Sequence, residues 1–175
     1  LDHERSITLS EFAAGDTSTD AISVRHDVDH DVEVAYRYAL QEEALGIRST
    51  YFLLPTAPYW ETQGRRYGLL IQELGHEVGL HNNALVACKG NVLAALELLR
   101  SWSGEMREWG IDLRGCADHG GPGWDNTDIW RVHGHDPSEV GLGYEAYLLH
   151  RRGTNYMSDN HGAWNGPLER VDGRP

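Results

Sequence analysis

Short apolar runs alternate along the chain with segments of helical periodicity. Four of the runs predict buried strands, and in chain order they read AISVR, STYFLL, HEVGLH and LRGCADHG. A further strand is predicted at NYMSD. Between and after these runs, apolar residues recur every three or four positions, which predicts helices beginning near residues 32, 67, 91, 126 and 144. This alternation indicates an α/β fold with parallel strands and helices outside them, in a barrel or in an open sheet.

Glycines mark the ends of three predicted helices. The first helix is expected to end at Gly46, the second at Gly75 and the long third helix at Gly110, because glycine readily adopts the left-handed conformation there. Asn91 is a suitable N-cap for the third helix. Residues 1–20 are polar and contain GDTSTD, so we interpret them as an entry segment outside the core of a single domain, residues 1–175.

Composition excludes several classes of function. Lys and Arg number 15 against 27 for Asp and Glu, and the formal charge of −12 repels nucleic acid and anionic lipid surfaces. No apolar run approaches the ~20 residues of a membrane span. Cys88 and Cys116 match no metal or redox spacing, so we expect two reduced thiols. We recognise neither a signal sequence nor a disulfide pattern, which favours the cytoplasm.

The two ends of the chain suggest a fragment of a longer protein. The sequence begins at Leu1 without a methionine and ends on VDGRP without a closing secondary structure element. We therefore expect the fold to be incomplete at its C-terminal end.

Ionisable side chains gather where the predicted strands end. Asp27 and Asp29 follow the first strand, and in an extended chain residues two apart point to the same face. His81 ends the third predicted strand and His119 the fourth. Because the carboxyl ends of parallel strands meet at one edge of a sheet, we expect these four groups to converge. One Asp and two His form a ligand set for Zn²⁺ or another divalent ion.

Four stretches resemble the NodB-type polysaccharide deacetylases, and specifically their divergent branch with HDVD as the first motif. The stretches fall between residues 21 and 165 and read RHDVD, GHEVGLHNNAL, CADHGGPGWDN and YMSDNHGAW. The resemblance implies a distorted (β/α) barrel that uses a bound metal ion, for which we expect Zn²⁺. It also implies a reaction, the removal of acetyl groups from N-acetylated sugars or polysaccharide.

The resemblance assigns roles to single residues. Asp27 falls on the general base, Asp29 on the metal-binding aspartate and His81 on the first metal-binding histidine. The family places a second ligand four residues later, where this chain has Leu85, and we expect His119 to replace it. Many members also carry a late LxxH histidine that protonates the leaving amine. No such motif follows residue 165 in this chain.

Further side chains are expected around this centre. Asp159 is a second catalytic candidate, and Arg25 is its expected partner, because a charge near Asp27 would set the basicity of that carboxylate. His26 and His76 are interpreted as structural histidines, whereas His30 can reach the centre from its loop. Several side chains beside the predicted site loops are expected to contact the sugar: Trp124, Trp130, His161 and Trp164.

Two other functions stay open at the level of sequence. An inactive sugar-binding barrel would explain the absence of the usual second histidine. A metal-dependent amidohydrolase acting on a non-sugar amide would use the same residues, since they serve any acyl transfer to water. A plainer interpretation of the aspartates is that Asp29 or Asp31 only caps the following helix.

Overall fold

The computed structural model describes residues 5–15, 21–121 and 123–149, and the backbone of residues 155–156 and 169–170. Its strands are β1 (Arg5–Ser6), β2 (Ala21–Ile22), β3 (Val24–Val28), β4 (Ser49–Leu53), β5 (Glu77–Asn82), β6 (Gly115–Asp118), β7 (Tyr144–Glu145), β8 (Asn155–Tyr156) and β9 (Glu169–Arg170). Its α-helices are α1 (Leu9–Ala13), α2 (Val32–Ala44), α3 (Arg65–Glu73), α4 (Ala84–Ala87), α5 (Val92–Trp109), α6 (Asp128–Arg131) and α7 (Ala146–Leu149). A π-helix (Trp60–Gly64) precedes α3, and a 3₁₀ helix (Pro137–Val140) precedes β7.

A parallel sheet of five strands, in the order β3-β4-β5-β6-β7, forms the centre of the fold. Consecutive strands are neighbours, as expected when helices connect parallel strands. Two small pairs lie apart from this sheet in the hydrogen-bonding pattern, β1 with β2 and β8 with β9. The predicted α/β class is confirmed. Over the described residues the sheet is open, with β3 and β7 at its edges, so closure into a barrel is not seen there.

Three long helices cover one face of the sheet, which we call the helix face. α2 buries Val32, Ala35 and Ala39, whose spacing places them on one side of the helix. The glycines predicted to end α2, α3 and α5 have φ angles of 71°, 90° and 101°, which confirms these predictions. Asn91 caps α5 by accepting a hydrogen bond from the backbone N–H of Ala94.

The opposite face of the sheet, which we call the site face, carries aromatic rings packed against glycines. A Cβ atom at Gly79 would collide with the ring of Phe52, and one at Gly115 would collide with the ring of Tyr144. The Tyr144 hydroxyl donates to Glu77 Oε1 over 2.7 Å, which fixes this ring. The rings therefore occupy space that only glycine leaves free, and they form a layer beneath the strand ends.

Residues 5–15 pack onto the core, contrary to the expectation of a polar entry segment over residues 1–20. Thr8 and Glu11 form a reciprocal capping box that begins α1, and Ile7 and Leu9 are buried. The N-terminus of α1 docks on the site face, where Leu9 N–H donates to Thr50 Oγ1 over 2.9 Å. The sequence did contain a signal for this helix, because a Thr followed by a Glu three residues later is typical of a helix start.

The helix predicted from residue 144 begins later than expected. Tyr144 and Glu145 form β7, which pairs with β6 and adds the fifth strand. The buried carboxylate of Glu145 then accepts hydrogen bonds from the N–H groups of Tyr147 and Leu148 and so starts α7. The strand predicted at NYMSD is present as β8 over its first two residues, and its other three lie outside the described residues.

Two composition-based expectations can be compared with the structure. Cys88 and Cys116 are free thiols, and burial raises the pKa of both. None of the described helices is long and apolar enough to cross a membrane.

We expect the glycine at position 115 to be essential for packing. Because Tyr144 is held by Glu77, Gly115→Ala should lower the free energy of unfolding by about 1–3 kcal/mol through overpacking. Gly104→Ala is the matched control, since Gly104 lies inside α5 with no described atom within 4 Å of a new Cβ. It should raise stability by about 0.4–1 kcal/mol. Urea unfolding measures both, and an equal effect of the two variants would contradict the role of the ring.

Candidate metal centre

Three predicted ligands converge at the carboxyl end of the sheet. One ligand atom from each of Asp29, His81 and His119 lies within 4.8 Å of the other two. Asp29 Oδ1 is 3.2 Å from His81 Nε2 and 3.7 Å from His119 Nε2. The two imidazole rings meet edge to face, with centroids 5.1 Å apart. Topology explains the convergence, because β3, β5 and β6 are parallel and their carboxyl ends share one edge.

Asp29 lies directly after β3 and is free to serve the centre. The capping role that competed with this interpretation belongs to Asp31, whose Oδ1 accepts from the backbone N–H groups at the start of α2. Tyr59 fixes the position of Asp29, because its hydroxyl donates to Val28 O over 2.5 Å and accepts from Leu54 N over 2.7 Å. The ends of β3 and β4 are thereby tied together beside the carboxylate.

His81 is buried at the end of β5 with a defined orientation. Its Nδ1 lies 2.9 Å from the carbonyl oxygen of Ala117, which can only accept a hydrogen bond. In the neutral ring the proton therefore sits on Nδ1, and the lone pair of Nε2 points towards Asp29. His81 lowers the pKa of Asp29, whereas burial opposes this shift. Two acceptors this close require positive charge between them, either a proton or a metal ion.

His119 is the first residue after β6 and has an unsatisfied ring nitrogen. Its Nδ1 is buried and makes no hydrogen bond with any described residue, and the same holds for Asp29 Oδ1. Burial, followed by the charge of His81, lowers the pKa of His119, so the ring is neutral and able to bind a metal at pH 7. Buried polar atoms without partners are costly, and a cation bound between the histidine Nε2 atoms and Asp29 Oδ1 would remove this cost for Asp29 Oδ1.

The position four residues after His81, where the resemblance led us to expect a second ligand, is filled by a core residue. Leu85 lies in α4, is 2% exposed and belongs to the main hydrophobic cluster of the helix face. It has no ligand atom to offer. His119 reaches the centre from the neighbouring strand instead, as the sequence predicted.

Asp27 lies beside the three ligands but is held by other groups. Its Oδ2 is 3.9 Å from His81 Nε2. Arg25 donates to both oxygens, from Nε to Oδ1 over 3.0 Å and from Nη2 to Oδ2 over 2.7 Å. The guanidinium also contacts Tyr147, donating to its hydroxyl over 2.9 Å and lying 4.5 Å from its ring centroid. Burial opposes the charge of Arg25, but Asp27 and Tyr147 outweigh it and raise the pKa of the guanidinium.

The alternation predicted along β3 is present in the structure. Asp27 and Asp29 both face His81, whereas Val28 belongs to the core cluster of the helix face. His26 also faces the helices, where its Nε2 lies 2.7 Å from Glu42 and its ring stacks on Tyr51.

Other predicted residues separate into structural groups and groups near the centre. His76 is structural, because Ser49 N–H donates to its Nδ1 and its Nε2 contacts the carbonyl of Ala39. His30 is exposed, and its charge acts on both Asp29 and His119. Three predicted site residues lie outside the described residues: Asp159, His161 and Trp164.

The two described tryptophans that were expected to contact a sugar differ from each other. Trp130 was expected to contact a sugar, but it is 6% exposed and its Nε1 donates to Asp118 Oδ2 over 2.9 Å. That expectation is wrong, because the indole is part of the buried structure beneath the site. Trp124 is 43% exposed, and its indole lies directly against the backbone at Gly90, where a Cβ would collide with it.

A buried polar layer below the histidines was missed from the sequence. Asn82 Nδ2 donates to Asp118 Oδ1 over 2.5 Å, so the last residues of β5 and β6 are joined through their side chains. Burial and the charge of Glu145 raise the pKa of Asp118 well above its usual range. Asn82 directly follows His81, and Asp118 directly precedes His119. These positions beside predicted ligands were the indication that the sequence offered.

Comparisons with known proteins add no identification. No protein-family model, no curated protein and no solved structure matches this chain. The chemistry of the centre is therefore inferred from its residues.

We expect each of the three ligands to be needed for tight metal binding. Asp29→Ala, His81→Ala and His119→Ala should each abolish stoichiometric binding of Zn²⁺ without unfolding the domain, because none of the three side chains belongs to the hydrophobic clusters of the core. His133→Ala is the matched control, since this histidine is exposed and remote in sequence from the ligands. Calorimetric titration measures binding. Stoichiometric binding that survives in the His119 variant would show that His119 does not replace the missing ligand.

Metal affinity should fall as the pH is lowered. A histidine ligand must be neutral to bind a metal. The ordinary pKa of histidine is about 6.5, and because the pKa of His119 is lowered, protons compete with the metal only below that pH. Affinity should be constant from pH 8 down to about pH 6.5 and should fall below that pH by about tenfold per pH unit for each proton displaced. Titration with Co²⁺ at several pH values measures this. Equal affinity at pH 7 and pH 4.5 would argue against histidine ligation.

Proposed function

We propose that this chain is a metal-dependent hydrolase that removes acetyl groups from N-acetylated saccharides. The observation that carries the proposal is that three possible metal ligands lie beside a carboxylate that is held by a different group. Asp29, His81 and His119 form a set of metal ligands, whereas Asp27 lies beside them with both oxygens oriented by Arg25. A ligand set with an adjacent, separately held carboxylate is the arrangement that metal-assisted amide hydrolysis requires.

The ligand set fits a divalent ion. Two neutral imidazoles and one carboxylate suit Zn²⁺, and they leave positions open for water and substrate. A divalent ion bound there would polarise the acetyl carbonyl and make water a nucleophile at neutral pH. His81 contributes a lone pair fixed by Ala117, and Asp29 contributes an oxygen that has no hydrogen bond from the described residues.

Asp27 is proposed to accept the proton of the attacking water. Its side chain is 28% exposed, so water reaches it, and each carboxylate oxygen keeps a lone pair beyond its hydrogen bond with Arg25. Two bonds from one planar guanidinium prevent the carboxylate from rotating. Tyr147 holds the guanidinium in turn, through its hydroxyl and its ring. The base is therefore positioned before substrate arrives.

Trp124 is the described side chain best suited to contact a sugar ring. It follows His119 in the same loop, is 43% exposed and lies against the backbone at Gly90. Aromatic faces pack against the apolar faces of pyranose rings. The acidic charge of the chain disfavours anionic polymers, so a neutral N-acetylated saccharide is the expected substrate class.

The inactive sugar-binding alternative loses its main support. That support was the absent second histidine at Leu85, and His119 supplies an imidazole at the centre from another strand. Hydrolysis of a non-sugar amide would use the same groups, so a substrate panel is needed to distinguish it from deacetylation of a saccharide.

A substrate panel tests the proposal. The chain is loaded with Zn²⁺ and incubated with oligomers of N-acetylglucosamine, with the monosaccharide and with N-acetylated amino acids, while acetate and free amine are measured. Equal release of acetate and amine from the saccharides supports the deacetylase. Release from the amino acid derivatives alone would indicate the non-sugar amidohydrolase. Saccharide binding without release would indicate a binding domain.

Replacement of Asp27 should separate metal binding from turnover. Asp27→Asn keeps the shape of the side chain and removes its basicity, so we expect metal to stay bound while turnover falls by about 100-fold or more. Asp112→Asn is the matched control, because Arg114 contacts Asp112 with the same two-residue spacing at an exposed position. Metal content and acetate release are measured for both. Loss of metal from the Asp27 variant would make Asp27 a ligand, and full activity would place the base elsewhere.

A further inference from the structure

We infer that Asn126 is a positioning residue that holds His119 at the metal centre. The inference rests on the proposed metal-dependent function and adds a residue that neither the sequence motifs nor the ligand geometry identified. Asn126 lies in the loop between β6 and α6 and is fully buried, with 0% of its surface exposed. Its side chain does not contact the centre itself.

The side-chain amide of Asn126 joins two segments that carry the histidine ligands. Its Nδ2 donates to the carbonyl oxygen of His119 over 2.7 Å and to Asn83 Oδ1 over 3.4 Å. Its Oδ1 accepts from the backbone N–H of Leu85 over 2.9 Å. His81 lies on β5, and Asn83 and Leu85 belong to the segment that follows this strand. One amide therefore links the backbone of His119 to the segment after His81.

His119 needs such a link because its own segment cannot hold it. It lies beyond the last residue of β6 and is followed by Gly120 and Gly121, which have no side chains to anchor the loop. Its N–H donates to Asn82 O over 2.8 Å, which fixes one side of the residue. The amide of Asn126 fixes the other side. Both backbone groups of His119 are thus held to the β5 side, one directly and the other through Asn126, which limits the positions that its ring can take relative to His81.

Leu85 takes part in this arrangement through its backbone and not through its side chain. A ligand four residues after His81 would be held near it by local backbone, but here that position carries an apolar side chain. The backbone N–H of the same residue is the group that Asn126 accepts from. The position that cannot supply a ligand thus contributes an anchor for the ligand that replaces it.

Asn126→Asp tests the inference. The change keeps an oxygen that accepts from Leu85 N–H, and it removes the donor to the His119 carbonyl. We expect affinity for Co²⁺ to fall by roughly 10–100-fold, with a changed visible absorption spectrum because one imidazole is displaced. Asn91→Asp is the matched control, since it makes the same change at the exposed N-cap of α5, where Asp caps equally well. Its affinity and spectrum should equal those of the unaltered chain.

The spectrum separates positioning from general stability. A purely structural role would lower the unfolding midpoint but leave the spectrum of the bound Co²⁺ unchanged, and that result would overturn the inference. Asn126→Ala, which removes all three side-chain hydrogen bonds without adding charge, is measured as a second variant and should show the same spectral change. If neither variant folds, Asn126 serves the fold and the inference is wrong. If the unaltered chain does not bind Co²⁺, both the proposed function and this inference are wrong. If the unaltered chain and both variants bind Co²⁺ equally well, only the role of Asn126 is wrong.

Discussion

The pairing of β5 with β6 is the constraint on which the centre depends. In the parallel register His81 is the partner of Ala117, so the ladder itself brings the Ala117 carbonyl to the imidazole and fixes which nitrogen carries the proton. The same register places His119 just beyond the strand end, beside His81. A shift of one residue would turn His81 to the helix face and remove both effects at once. Backbone geometry and ligand chemistry are thus set by one interaction.

Much of the fold and most of the centre could be predicted from the sequence, because these features are local. Glycines at 46, 75 and 110 ended helices where a left-handed residue was required. Alternation along β3 placed Asp27 and Asp29 together, since period-two geometry needs no knowledge of the partner strands. His119 was predicted as a ligand from its position after a strand, and strand ends converge in any parallel sheet.

The features that were missed depend on contacts distant in sequence. β7 is only two residues long, and its position in the sheet depends on distant residues. The ring of Tyr144 packs over Gly115, and its hydroxyl donates to Glu77. Trp130 was expected to contact a sugar because it lies beside a predicted site loop, and only its hydrogen bond to Asp118 shows that it is a buried structural residue. Asn126 is the last residue of the stretch CADHGGPGWDN, but its role is defined only by the three backbone and side-chain groups that it contacts. Burial of polar side chains of this kind follows from the tertiary structure, which a single sequence does not display.

The origin of the three ligands in three separate βα units has a consequence for folding. A ligand pair within one short segment can bind metal while the rest of the chain is still disordered, so that the ion directs early folding. Here Asp29, His81 and His119 meet only after β3, β4, β5 and β6 have paired. The ion would then bind late in folding and stabilise by mass action a sheet that is already assembled. Only molecules in which these strands have paired in the correct order would bind it.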